Sequence, residues 1–238
     1  PPGLLDELGF ADMTEIYNNP AIQVDLPTDD WPFFYMPVRT YPVSYVVLWG
    51  LILLWSLILI IRFVPGIGRS GHSAFFFLGA GFMLVETKGI TEAGLYFGNT
   101  WHVIGIVVMG ILFMAYCANA IVNRYRIEKV YIPCLLLSAS LITGMAVAGS
   151  DDLTPSFWGR LGVVLMLTCP IFFSGLAFST LLRSQGNVAG AMGLNLFGAM
   201  CGGILEYNVM YFGFQLLYWL ALGLYGLAFL SMIYRKPS

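Results

Sequence analysis

Glu86, Lys88 and Glu92 interrupt an apolar run over about 73–97, and Glu206 interrupts another over about 188–211. These are the residues whose chemistry asks for an explanation. On insertion scales a charge at the centre of a bilayer costs about 2.5–3.5 kcal/mol, so each needs a partner, water or a proton. Lys88 and Glu92 stand four apart, share a helix face and can pair. Glu86 points roughly 160° away from Lys88 at helical spacing and needs a partner of its own. The group admits two uses. One is an interhelical pin that sets helix register; the other is a substrate or ion site, or a proton relay.

The second run carries a stripe. Asn195, Gly198, Gly202 and Glu206 recur at spacings of three, four and four, so they lie on one face of a helix. Gly198 and Gly202 form a G-x-x-x-G, which lets a neighbouring backbone approach closely. A stripe that is small in the middle and polar at both ends faces protein. Lys88 is the one basic residue well inside a predicted span, so we expect Glu86, Lys88, Glu92, Glu206 and Asn195 to form one polar cluster between the two helices. Other chemistry is missing. There is no G-x-S-x-G, H-E-x-x-H or phosphate-binding loop. Cys117, Cys134, Cys169 and Cys201 lie in apolar runs without C-x-x-C spacing and read as small buried hydrophobes. His72 and His102 are isolated near predicted helix starts. No catalytic residue, metal site or cofactor is expected.

The elements that must position these residues are membrane helices. Of 238 residues, 58% are hydrophobic and 10% charged, with a mean hydropathy of +0.80. A soluble domain is nearer a quarter charged, so lipid is the main solvent. A net charge of −2 offers no basic patch for nucleic acid. Seven apolar segments, at about 43–64, 73–97, 101–123, 130–149, 157–183, 188–211 and 213–234, predict an all-α polytopic bundle of about seven transmembrane helices. Breakers separate several of them: Pro65-Gly66, Asn99-Thr100, Ser150-Asp151-Asp152, Gly186-Asn187 and Gly213. Pro170 inside the fifth predicts a kink.

Residues 1–41 form an acidic, Pro-rich linker or cap, and 42–238 the transmembrane domain. The cap holds Asp6, Glu7, Asp12, Glu15, Asp25, Asp29 and Asp30 against Arg39 alone. A short amphipathic helix over about 3–17 is expected, and the aromatic Trp31–Tyr35 stretch should dock at the membrane surface. The start Pro1-Pro2, without Met, reads as a processed chain or a fragment. Arg62, Arg69, Arg124, Arg126, Lys129, Arg183, Arg235 and Lys236 fall on one side of the membrane, and Arg39 and Arg160 on the other. That asymmetry places the N-terminus outside and the C-terminus in the cytoplasm.

Four stretches together resemble the C-terminal membrane part of bacterial membrane-bound spermidine-synthase-like proteins, over about residues 25–234. They are Thr28–Phe33, Gly79–Lys88, Phe97–Trp101 and Asn195–Tyr207, in that order. The resemblance implies the bacterial inner membrane and a soluble Rossmann-like aminopropyltransferase domain preceding this region. No such domain is present in this chain, so aminopropyl transfer is not carried over. Three functions stay open: a structural or accessory subunit of a larger membrane assembly, a transport module for a small, cationic, polyamine-like solute, and the membrane half of an enzyme whose catalytic domain lies elsewhere. The partners expected are the lipid bilayer and either other membrane subunits or that Rossmann-like domain.

Overall fold

The computed structural model describes residues 24–63, 73–98, 100–125, 127, 129–147 and 157–233. Several sequence-based expectations fall outside them: the amphipathic helix over 3–17, Pro65-Gly66, Arg69, His72, Asn99, Arg126, Ser150-Asp151-Asp152, Arg235 and Lys236. Among the described residues the secondary structure is helical, without strands. The seven apolar segments become seven helices and one short turn of helix. These are α1 (Val43–Phe63), α2 (Ser73–Phe97), α3 (Trp101–Tyr125), α4 (Tyr131–Val147), α5 (Phe157–Arg183), α6 (Val188–Glu206), the turn α7 (Val209–Phe212) and α8 (Leu216–Ile233).

Six of these helices are long and apolar enough to cross a bilayer. The exception is α4, whose 17 residues rise only about 25 Å against a hydrocarbon core of about 30 Å. A chain so apolar has no single buried stripe on each helix; burial instead follows position in the bundle. The central helix is α2, which packs against α6, α8, α5 and α3. At the other extreme is α1, which leans on α6 and has no buried residue in its most apolar stretch. Its exposed Leu, Ile, Val and Trp side chains suit lipid contact.

Helix α5 runs through Pro170 without interruption. Proline there cannot donate to the Met166 carbonyl. Both residues line a small cavity beside Lys88.

Two breaks shape the end of the bundle that carries residues 24–42. Helix α6 stops at Glu206, and the Asn208 side-chain amide donates to the Leu205 carbonyl at 2.7 Å, satisfying a group that the helix end leaves open. Tyr41 donates to the Asn208 oxygen at 2.9 Å. Burial, and then Tyr211 nearby, push the Tyr41 phenol above its ordinary value. Gly213 then turns the chain at φ +90, a conformation that favours glycine. Asp30 reaches over from the N-terminal segment to cap the start of α8. Its carboxylate accepts from Gln215 N–H at 2.7 Å, and its carbonyl from Phe214 N–H at 2.8 Å.

Within the aromatic stretch before α1, Trp31 turns inward. Trp31 is fully buried against protein, and its indole N–H donates to the Met210 carbonyl at 2.8 Å. A buried indole needs such a partner, and the α6–α8 turn supplies it. Phe34 and Tyr35 remain exposed.

Candidate functional site

The central feature is the contact between α2 and α6, which run in the same direction. Gly79, Gly198 and Gly202 interlock there. A Cβ at Gly79 would run into Asn195, one at Gly198 into Phe76 and one at Gly202 into Ala80, in each case against backbone. The G-x-x-x-G therefore does what its spacing implies: it brings two backbones into van der Waals contact inside the bundle. Asn195 adds an interhelical hydrogen bond, donating to the Phe75 carbonyl at 3.1 Å.

Beyond this contact the expected single polar cluster divides. Lys88 and Glu92 pair at 3.1 Å, with the residues only 5% and 3% exposed. They face α8, where the Tyr218 hydroxyl donates to Glu92 Oε2 at 2.5 Å and the Lys88 ammonium lies 5.1 Å from the Tyr218 ring centroid. The aromatic face thus adds a cation–π contact to the ion pair. Around them α2, α4, α5 and α8 leave a cavity of about 10 Å³, lined by Val85, Gly89, Gly144, Met166 and Tyr218 among others. That is room for about one water.

Glu206 does not join Lys88. Its partner is Thr87, which donates to Oε2 at 2.9 Å. Thr87 and Lys88 are adjacent residues on a helix, so their side chains diverge by about 100°. One meets α6 while the other meets α8. Asn195 lies eleven residues before Glu206, roughly 16 Å away along α6, and belongs to the opposite end of the contact. Glu86 is half-buried and makes no hydrogen bond or ion pair with another described residue.

Tyr218 and Thr87 were not singled out by sequence. Tyr218 is one of 13 tyrosines and Thr87 sits between two charges. A signal did exist for Thr87, because Glu206 required a polar group on the second segment. All four cysteines are free, Cys134 being buried, and His102 is exposed at the start of α3. Among the described residues no group of three His, Cys, Asp or Glu side chains converges on a common point.

No family model matches this chain, and no curated protein or solved structure is significantly similar to it.

Proposed function

We propose that this chain is a non-catalytic membrane module, the bilayer-embedded part of a larger assembly, and that its buried charges are a structural pin. The observation that carries this reading is the Lys88–Glu92–Tyr218 group. The two charges neutralise each other, the phenol fills the second carboxylate oxygen, and the adjoining space holds about one water. A transport site built on Glu86, Glu92 and Glu206 requires these carboxylates to line one hydrated cavity. Instead Glu92 meets Tyr218 on α8, while Glu206 meets Thr87 at the α2–α6 contact. The pin ties α2 to α8, while the glycine contact ties α2 to α6, so the two together fix the central helix from both sides. The Rossmann-like domain that the family resemblance implies is one candidate partner for such a module.

A double-mutant cycle tests the pin. Removing one member of a buried pair costs about 3–5 kcal/mol in soluble proteins, whereas replacing both by neutral groups is often neutral. Lys88→Met should therefore lower the melting temperature in detergent, and Lys88→Met combined with Glu92→Gln should recover much of the loss. If the double variant melts no higher than Lys88→Met, the pair is not the stabilising unit proposed here.

A further inference from the structure

Glu206 faces a second environment that the pin does not explain. It is the last residue of α6, where the helix dipole is negative and a carboxylate is disfavoured. Thr87 occupies Oε2, and no lysine or arginine of the described residues lies within 4 Å of it. Glu206 is among the residues lining a groove of about 350 Å³ at the end of the bundle that carries residues 24–42. Five rings line that groove: Phe33 and Tyr35 from the N-terminal segment, Tyr45 from α1, Tyr207 from the turn after α6, and Phe214 ahead of α8. Phe33 stacks on Phe214 at 5.9 Å, and Tyr45 meets Tyr207 edge-on at 5.8 Å. Four stretches of chain thus build one concavity. No basic residue lines it, and Glu206 is its one charged group.

Tyrosines and phenylalanines at a membrane interface ordinarily serve as an anchoring belt. A belt presents rings outward to headgroups and has no use for a carboxylate at a helix C-terminus. Here the rings line an open groove whose volume falls in the range of small-molecule sites, about 300–1,000 Å³, with an acidic residue among its lining. Aromatic faces carry negative quadrupole density and attract organic cations, most of all alkylated ammonium groups that shed water easily.

We propose that this groove binds an alkylammonium group, with Glu206 as its counter-ion and the rings of Tyr45 and Tyr207 as cation–π walls. The ligand would supply the positive charge that Glu206 lacks. The site uses none of the pin residues and stands or falls independently of the pin. Two sources present this chemistry at a bilayer surface: a water-soluble amine and the ethanolamine headgroup of a lipid.

The test uses radiolabelled choline and the full chain in an amine-free detergent. Binding should saturate, be displaced by ethanolamine, and be insensitive to sodium chloride at equal concentration. Glu206→Gln keeps the shape and the Thr87 contact, and should weaken binding by about tenfold or more through loss of the charge. Tyr207→Leu should weaken it about threefold or more. Melting temperatures near wild type would show both variants to be folded. In phosphatidylglycerol nanodiscs, added phosphatidylethanolamine that displaces choline would identify the lipid headgroup as occupant; undiminished choline binding would identify a soluble amine. Absence of saturable choline binding in both detergent and phosphatidylglycerol nanodiscs would overturn the proposal. So would unchanged affinity in folded Glu206→Gln.

Discussion

Gly198→Ala is the smallest change that probes the contact at the centre of the bundle. A Cβ at this position would lie 2.7 Å from the carbonyl carbon and 2.9 Å from the Cα of Phe76, where ordinary contacts are about 3.5–4.0 Å. The obstructing atoms are backbone, so no rotamer change relieves the overlap. The helices must part by roughly 1 Å, which forfeits about a quarter to a half of the dispersion energy of each contact that opens. Overpacking of this kind costs about 1–3 kcal/mol. The Asn195–Phe75 and Thr87–Glu206 hydrogen bonds, at 3.1 and 2.9 Å, would stretch as well. Interhelical hydrogen bonds in membranes average about 0.6 kcal/mol each, so the steric term dominates. Alanine returns about 0.8–1.0 kcal/mol through its better helix propensity. The net expectation is a loss of about 0.5–3 kcal/mol. Gly105→Ala and Gly223→Ala are the controls, because a Cβ at either meets nothing within 4 Å. They should be neutral or slightly stabilising. Thermal unfolding in one detergent, followed by circular dichroism, reads all three. If Gly198→Ala melts at or above wild type, alongside the controls, the close contact between α2 and α6 does not exist.

Tyr218→Phe should lower stability by about 1.5–3 kcal/mol, because it strips a hydrogen bond from a buried carboxylate while leaving the ring over Lys88; the same melting assay reads it. Asp30→Ala should loosen the start of α8 and the seat of Trp31, seen as a red-shifted tryptophan emission and a loss of about 0.5–2 kcal/mol, the usual worth of a cap. From the asymmetry of the basic residues we propose that residues 24–42 lie outside the cell. A cysteine at the exposed position Phe34 should therefore react with an impermeant reagent added to intact cells, and labelling only from the cytoplasmic side would reverse the orientation.

Hydropathy and breakers located the helices well, because a bilayer imposes length and composition on each span more strictly than a soluble core does. The described limits of α1, α2 and α5 differ from the apolar segments by a residue or none. The sixth apolar segment runs on to Phe212, but its helix breaks at Glu206 and resumes as the turn α7. Asn208, which caps that end locally, is also held by Tyr41 from 167 positions away, a contact that no local pattern encodes. The glycine stripe was legible because steric demand is written in residue size at helical spacing. The Lys88–Glu92 pair was legible for the same reason, since both members lie on one helix. What closes around that pair was not. Tyr218 on α8 and the divergence of Thr87 from Lys88 depend on how three helices rotate about one another. Glu206 parts from Lys88 through that rotation, and Asn195 through its distance along α6. The residue type marks Trp31 as an anchor, but its seat is a carbonyl in a turn 179 positions away.

The most direct test of the pin is the water accessibility of the space beside Lys88. Gly89 lines that space, and a Cβ there meets only the Leu167 carbonyl at 3.8 Å, an ordinary contact. In a background lacking the four native cysteines, Gly89→Cys would be treated in proteoliposomes with an impermeant methanethiosulfonate reagent from either side, with Phe34→Cys as the reactive control. A sealed structural pin predicts no modification at position 89 from either side while position 34 reacts fully. Modification at position 89, from either face, would mean that water reaches the Lys88–Glu92 pair and would contradict a purely structural role.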